Sequence, residues 1–143
     1  MRFLPLACRI FLGIIFVVFG ANNIHAFIHM PTPPAGTVIG DWTNIMMASH
    51  WILVVGLVMF IGGVLVLIGG TAPAGLVMLA PVIFNILCFH MLLAGGKGIG
   101  MAVFVALLEV LLLYFYRSSF AGILSTNAEP VVKPRRVSAE VSA

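Results

Sequence analysis

The run Pro81-Val-Ile-Phe-Asn85-Ile-Leu-Cys88-Phe-His90 sets a carboxamide and an imidazole inside a stretch that otherwise belongs in lipid. Polar groups at membrane depth are costly and persist where something inside the protein binds them. Asn22, His25, His29 and His50 lie near the ends of other apolar runs, and Glu109 interrupts the last of them. A carboxamide donates and accepts hydrogen bonds, an imidazole does either according to its tautomer, and a carboxyl can move a proton. Such a set could hold a quinone headgroup, a metal, or a haem iron between two imidazoles. The metal and haem options are the weaker ones, because no tight ligand spacing is present. His25 and His29 form one His-x-x-x-His, without the intervening Glu of a zinc protease. No Ser-His-Asp or Cys-His nucleophile set is evident, and Gly95-Gly-Lys97-Gly98 lacks the strand and the Ser or Thr of a phosphate loop. It reads as a turn.

The elements that must position these residues follow from composition. With 62% hydrophobic and 8% charged residues, the 143-residue chain is not a soluble domain. Four apolar segments, at about residues 6–28, 50–68, 74–94 and 99–116, each approach the roughly 20 residues that cross a hydrocarbon core. They are apolar nearly all round and lack the alternating strands of a barrel. The expectation is an all-α membrane protein: a bundle of four transmembrane helices over residues 1–120, then a disordered basic cytoplasmic tail over 121–143. The first span shows no cleavage site and reads as an uncleaved helix.

Charge gives the orientation. Arg2, Arg9, Arg117, Lys133, Arg135 and Arg136 fall on the side of the termini, and only Lys97 falls on the other. The positive-inside rule then makes both termini cytoplasmic. Cys8 and Cys88 come to opposite sides and are not expected to pair. The net charge of +3 is concentrated in a short tail, which argues against nucleic acid as a partner. The expected partners are the bilayer, a protein of a membrane complex, and further copies of the chain.

All four histidines fall on the outer side in this topology. Offsets of three, four and seven residues give Asn22, His25 and His29 one helix face. Asn85 and Glu109 each lie about ten residues into their spans, near the midplane, so Asn85 is the expected partner of the Glu109 carboxyl. Asn85 and His90 are about 140° apart at 100° per residue, so one helix face does not present both. The plainer reading comes first: Asn22, Asn23, Asn85 and Glu109 hydrogen-bond between helices while the histidines sit wet at the interface. The functional reading is an outward pocket lined by His25, His29, His50 and His90, with Asn85 and Glu109 at its base.

The connections are legible too. Prolines bar regular helix from Met30–Pro34, Asp41 is placed to cap a short interfacial helix through Ser49, and Trp42 and Trp51 suit headgroup depth. Gly56, Gly63 and Gly70 recur every seven residues, and Gly13 and Gly20 repeat the interval. Two turns at a left-handed crossing would let glycine faces bring backbones close.

These residues together resemble the DoxX-like membrane proteins over about residues 8 to 120. The resemblance rests on Gly13–Asn22, the Met30–Pro34 connection, Gly62-Gly-Val-Leu-Val-Leu, Ala80–His90 and Leu107-Leu-Glu109-Val. It implies a four-helix bacterial inner-membrane protein. Some relatives are associated with redox systems, including a thiosulfate:quinone oxidoreductase subunit and complexes handling oxidative stress. The family often carries Lys where this chain has Asn23, and Glu where it has Met59, as if a neutral arrangement had replaced an intramembrane ion pair. The expected function is an accessory or ligand-binding component of a redox or stress-related membrane system, with no catalytic residue assigned. A quinone-linked oxidoreductase subunit is the alternative, and a small transporter the third.

Overall fold

The structure, a computed structural model, describes residues 3–29, 31 and 33–121. The expected tail over 121–143 lies outside the described residues apart from Ala121. Every described element is helical. α1 spans Phe3–Ile24, α2 Val38–Ala48, α3 Trp51–Leu67, α4 Ala72–Cys88, α5 Ile99–Phe115 and the short α6 Arg117–Phe120. A 3-10 turn at Gly69–Thr71 leads into α4, which ends in a π-helical turn over Phe89–Leu93.

Four spans of similar length were expected. The helices start and stop close to the expected positions, but their lengths differ. Phe3–Ile24, with 22 residues, and Gly69–Leu93, with 25, are long and apolar enough to cross a membrane. A third crossing exists only if α2 and α3, bent by 82°, count as one. α5 has 17 residues, about 26 Å of helix against a hydrocarbon core of about 30 Å. The count read from hydropathy is thus corrected to two, or three with the bent pair.

α3 packs between α1 and α4, and α5 touches both α1 and α4. Gly13 meets Gly63 and Gly20 meets Gly56 across the α1–α3 seam, so these helices run antiparallel. An ideal Cβ on Gly20 would stand 2.6 Å from the Phe60 amide nitrogen, and one on Gly63 would stand 2.8 Å from that of Val17. At Gly13, Gly20, Gly56 and Gly63 the seven-residue interval is therefore a packing device, whereas Gly70, the next in the series, has nothing within 4 Å of an added Cβ. Gly75 gives α4 the same close approach: an ideal Cβ there would stand 2.7 Å from the Gly62 carbonyl oxygen. Between the glycines and the far helices, Leu12, Val66, Leu76, Leu79 and Leu112 are fully buried.

The ends of the elements have local causes. Thr37, not Asp41, caps α2: its hydroxyl accepts from the Gly40 amide at 3.1 Å. Asp41 instead lies in the first turn, where a negative charge suits the helix dipole. His50 forms the corner between α2 and α3 in a left-handed conformation, φ 58°, which a residue with a Cβ rarely adopts. Pro81 lies inside α4 without an amide to donate, a substitution that membrane helices tolerate where neighbours cover the freed carbonyl.

Candidate functional site

A cleft of about 710 Å³ opens among α1, α2, α3, α4 and α5 at the end where the π turn lies. Its walls are mainly apolar. Phe16 and Phe19 come from α1, Met59 and Val55 from α3, Val82 and Ile86 from α4, and Val105 from α5. Asn23, Asn85, His90 and the two indoles, Trp42 and Trp51, supply its polar groups. A volume of this size with few polar groups is typical of sites for small organic ligands.

Asn85 and His90 both line this cleft, although their azimuths on a regular helix are far apart. The cleft explains this by its width. It takes in Pro81, Val82, Asn85, Ile86, Phe89 and His90, half the circumference of α4, with Asn85 toward one edge and His90 at the other. One helix face still does not present both, but both border one cleft. The π turn beginning at Phe89 is a form that recurs at functional sites. His90 is anchored there: its Nδ1 lies 2.6 Å from the Lys97 carbonyl oxygen. Lys97 belongs to the expected Gly95–Gly98 turn, where Gly95, Gly96 and Gly98 all have positive φ. On the other side, the Phe89 ring meets Trp42 at 4.8 Å between centroids, fastening α2 to α4.

The other candidates do not join this site. α1 ends at Ile24, before His25 and His29 can share its face with Asn22. The physical cause is Asn22 itself, whose buried carboxamide oxygen accepts from the amides of Phe27 at 3.1 Å and Ile28 at 2.6 Å. That contact bends the chain off the helix axis. His25 is exposed, as is His50 at its corner, and neither lines the cleft. His29 borders a second cavity, of about 310 Å³, with Asn22, Pro31 and Pro33. The ring of four histidines is thus replaced by one imidazole in the cleft. Among the described residues, no three His, Cys, Asp or Glu side chains converge on a common point. Cys8 and Cys88 are both free thiols.

Glu109 departs furthest from expectation. It is 4% exposed and neither carboxyl oxygen has a hydrogen-bond partner among the described residues. Asn85 is not its partner. The buried face of α4 carries Leu76, Leu79 and Ile83, and Asn85 sits about 200° around the helix from Ile83. Val105, one turn from Glu109, lines the cleft, so the carboxyl lies beneath the cleft wall. An unsatisfied buried polar group costs about 1–3 kcal/mol. Glu109→Met is therefore expected to stabilise the protein by about that amount in detergent unfolding, and Glu109→Gln to leave stability nearly unchanged. A clear loss of stability in Glu109→Met would mean that the carboxyl is held by a group outside the described contacts.

Four contributors to the cleft were legible only in part. Trp42 and Trp51 suit headgroup depth, yet both also turn toward the cleft. Asn23 and Met59, the two residues expected to form a neutral pair within the membrane, meet: Asn23 Nδ2 lies 3.5 Å from Met59 Sδ. No protein-family model, no curated protein and no solved structure matches this chain.

Proposed function

We propose that this chain is a DoxX-like membrane protein whose cleft binds a small lipid-soluble ligand, making it an accessory component of a redox or stress-related membrane system. In this reading α1 and the helix over Gly69–Leu93 cross the bilayer, and α3 and α5 pack alongside them within it, where tilt and local thinning accommodate a helix a few ångströms short. The Arg9 and Arg117 end faces the cytoplasm of a bacterial inner membrane, and the cleft faces outward. The observation that carries the reading is the cleft itself, an apolar space of about 710 Å³ into which Asn85 and His90 both reach.

A quinone-linked subunit is the second reading: the Asn85 carboxamide can donate to a quinone oxygen, and His90 Nε2 can accept from the hydroxyl of the reduced hydroquinone form. Glu109 has no place in it, being outside the cleft lining. A transporter is disfavoured by the fully buried apolar layer of Leu12, Val66, Leu76, Leu79 and Leu112.

The test is analysis of lipids extracted from purified protein, beside Val55→Phe, which fills the cleft. The wild type is expected to carry a reproducible lipid-soluble compound that the variant lacks. Identical extracts from the two proteins would remove the basis of the reading.

A further inference from the structure

The hydrogen-bonding character of His90 is set by its own turn. A carbonyl oxygen only accepts, so at 2.6 Å from the Lys97 oxygen Nδ1 carries the hydrogen. In the neutral imidazole Nε2 is then an acceptor. Gly98 keeps the ring in this place: it has φ 73°, and a Cβ there would stand 2.9 Å from His90 Cε1. Nε2 makes no hydrogen bond among the described residues, and the residue borders the cleft. Of the other polar groups of the cleft, the two indoles only donate, while the two carboxamides both donate and accept, leaving His90 as its one ring acceptor. His90 therefore presents an acceptor with no oxygen-bound or nitrogen-bound hydrogen of the protein assigned to it. Around it the walls are aromatic, with Phe16, Phe19, Trp42, Trp51 and Phe89.

We propose that the cleft selects a lipid-soluble phenol, whose hydroxyl donates to Nε2 of His90 and whose ring packs among the aromatic walls. This rests on the reading of the cleft as a ligand site and names the class of ligand that it takes. Asn85 lines the same cleft and has an N–H to offer the phenolic oxygen, which both donates and accepts. A ketone or an ether of the same shape lacks the donated hydrogen and leaves Nε2 unpaired.

The probes are para-nonylphenol and its methyl ether, titrated into the full-length protein in lipid nanodiscs. Both tryptophans of the chain line the cleft, but Trp42 also borders the second cavity and Trp51 is exposed, so the signal counted is the fluorescence change that Val55→Phe, which fills the cleft, abolishes. The phenol is expected to bind about tenfold more tightly than the ether, the effect of one good hydrogen bond. His90→Phe, which keeps a ring and removes the acceptor, is expected to bind the two equally. Because that variant also loses the tie to Lys97, nitrogen-15 NMR of histidine-labelled wild type provides a second measurement. It is expected to show the Nδ1–H tautomer for His90. Equal affinities in the wild type, a preference that survives in His90→Phe, or an Nε2–H tautomer would each overturn the phenol inference while leaving the cleft as a binding site. If neither probe changes the fluorescence, the ligand-site reading falls as well.

Discussion

Gly20→Ala and Gly63→Ala are each expected to cost about 2–3 kcal/mol, and Gly20→Leu to leave no folded protein. The added methyl on Gly20 would meet Phe60 backbone nitrogen at 2.6 Å and Cα at 2.9 Å, and the Gly56 carbonyl at 2.9 Å. Those atoms are helix backbone and cannot swing aside, so the α1–α3 seam must open. Overpacking of this kind costs about 1–3 kcal/mol where side chains can adjust, and the upper end applies where they cannot. Gly13 offers the comparison. Its nearest neighbours are Leu67 side-chain atoms at 2.6 and 2.7 Å, which can rotate away, so Gly13→Ala is expected to cost less. Gly100, with nothing within 4 Å, should accept alanine within about 0.5 kcal/mol of neutral. Unfolding titrations in mild detergent would rank the four variants. A Gly20→Ala protein as stable as Gly100→Ala would show that the close seam is not what holds α1 to α3.

Met59→Glu is expected to destabilise by about 3–5 kcal/mol, and Asn23→Lys in the same chain to recover at least half of that. Met59 is 7% exposed, and a carboxylate there has no cation among the cleft residues. An unpaired buried charge carries a penalty of this size. Asn23, in contact with Met59 at 3.5 Å, is the position from which a lysine can reach it. A double-mutant cycle over wild type, both single variants and the double variant measures the coupling. Additivity within about 0.5 kcal/mol would mean that the two side chains do not interact and that the contact is incidental.

Both predictions bear on the same region. The glycine seam draws α1 against α3, and Asn23 and Met59 lie on those two helices where they border the cleft. A loosened seam would therefore widen the cleft from that side as well as weaken the fold. Loss of ligand in a glycine variant must be read against its stability, whereas Val55→Phe and His90→Phe alter the cleft without touching the seam.

The sequence by itself determined the helical class, the approximate helix limits, the proline-broken connection, the Gly95–Gly98 turn and the purpose of the glycine interval. These are local properties. Apolar composition, proline without an amide and glycine without a Cβ act within a few residues, whatever the rest of the chain does. Span number was less legible, because hydropathy shows where apolar residues run and not that α3 and α5 each stop at 17 helical residues.

The site depended on the tertiary structure. Histidines that share one side of a topology diagram need not share a pocket, and Asn22 scattered them by taking the Phe27 and Ile28 amides and ending α1 early. Equal depth did not make Asn85 and Glu109 partners, since azimuth turned one toward the cleft and left the other buried beneath its wall. Asn85 and His90 came together because the cleft wraps half of α4, which no single-helix projection contains. Depth is a one-dimensional property that a sequence carries. Which faces meet across three or four helices is decided by packing, and packing brought Asn85 and His90 to the same cleft.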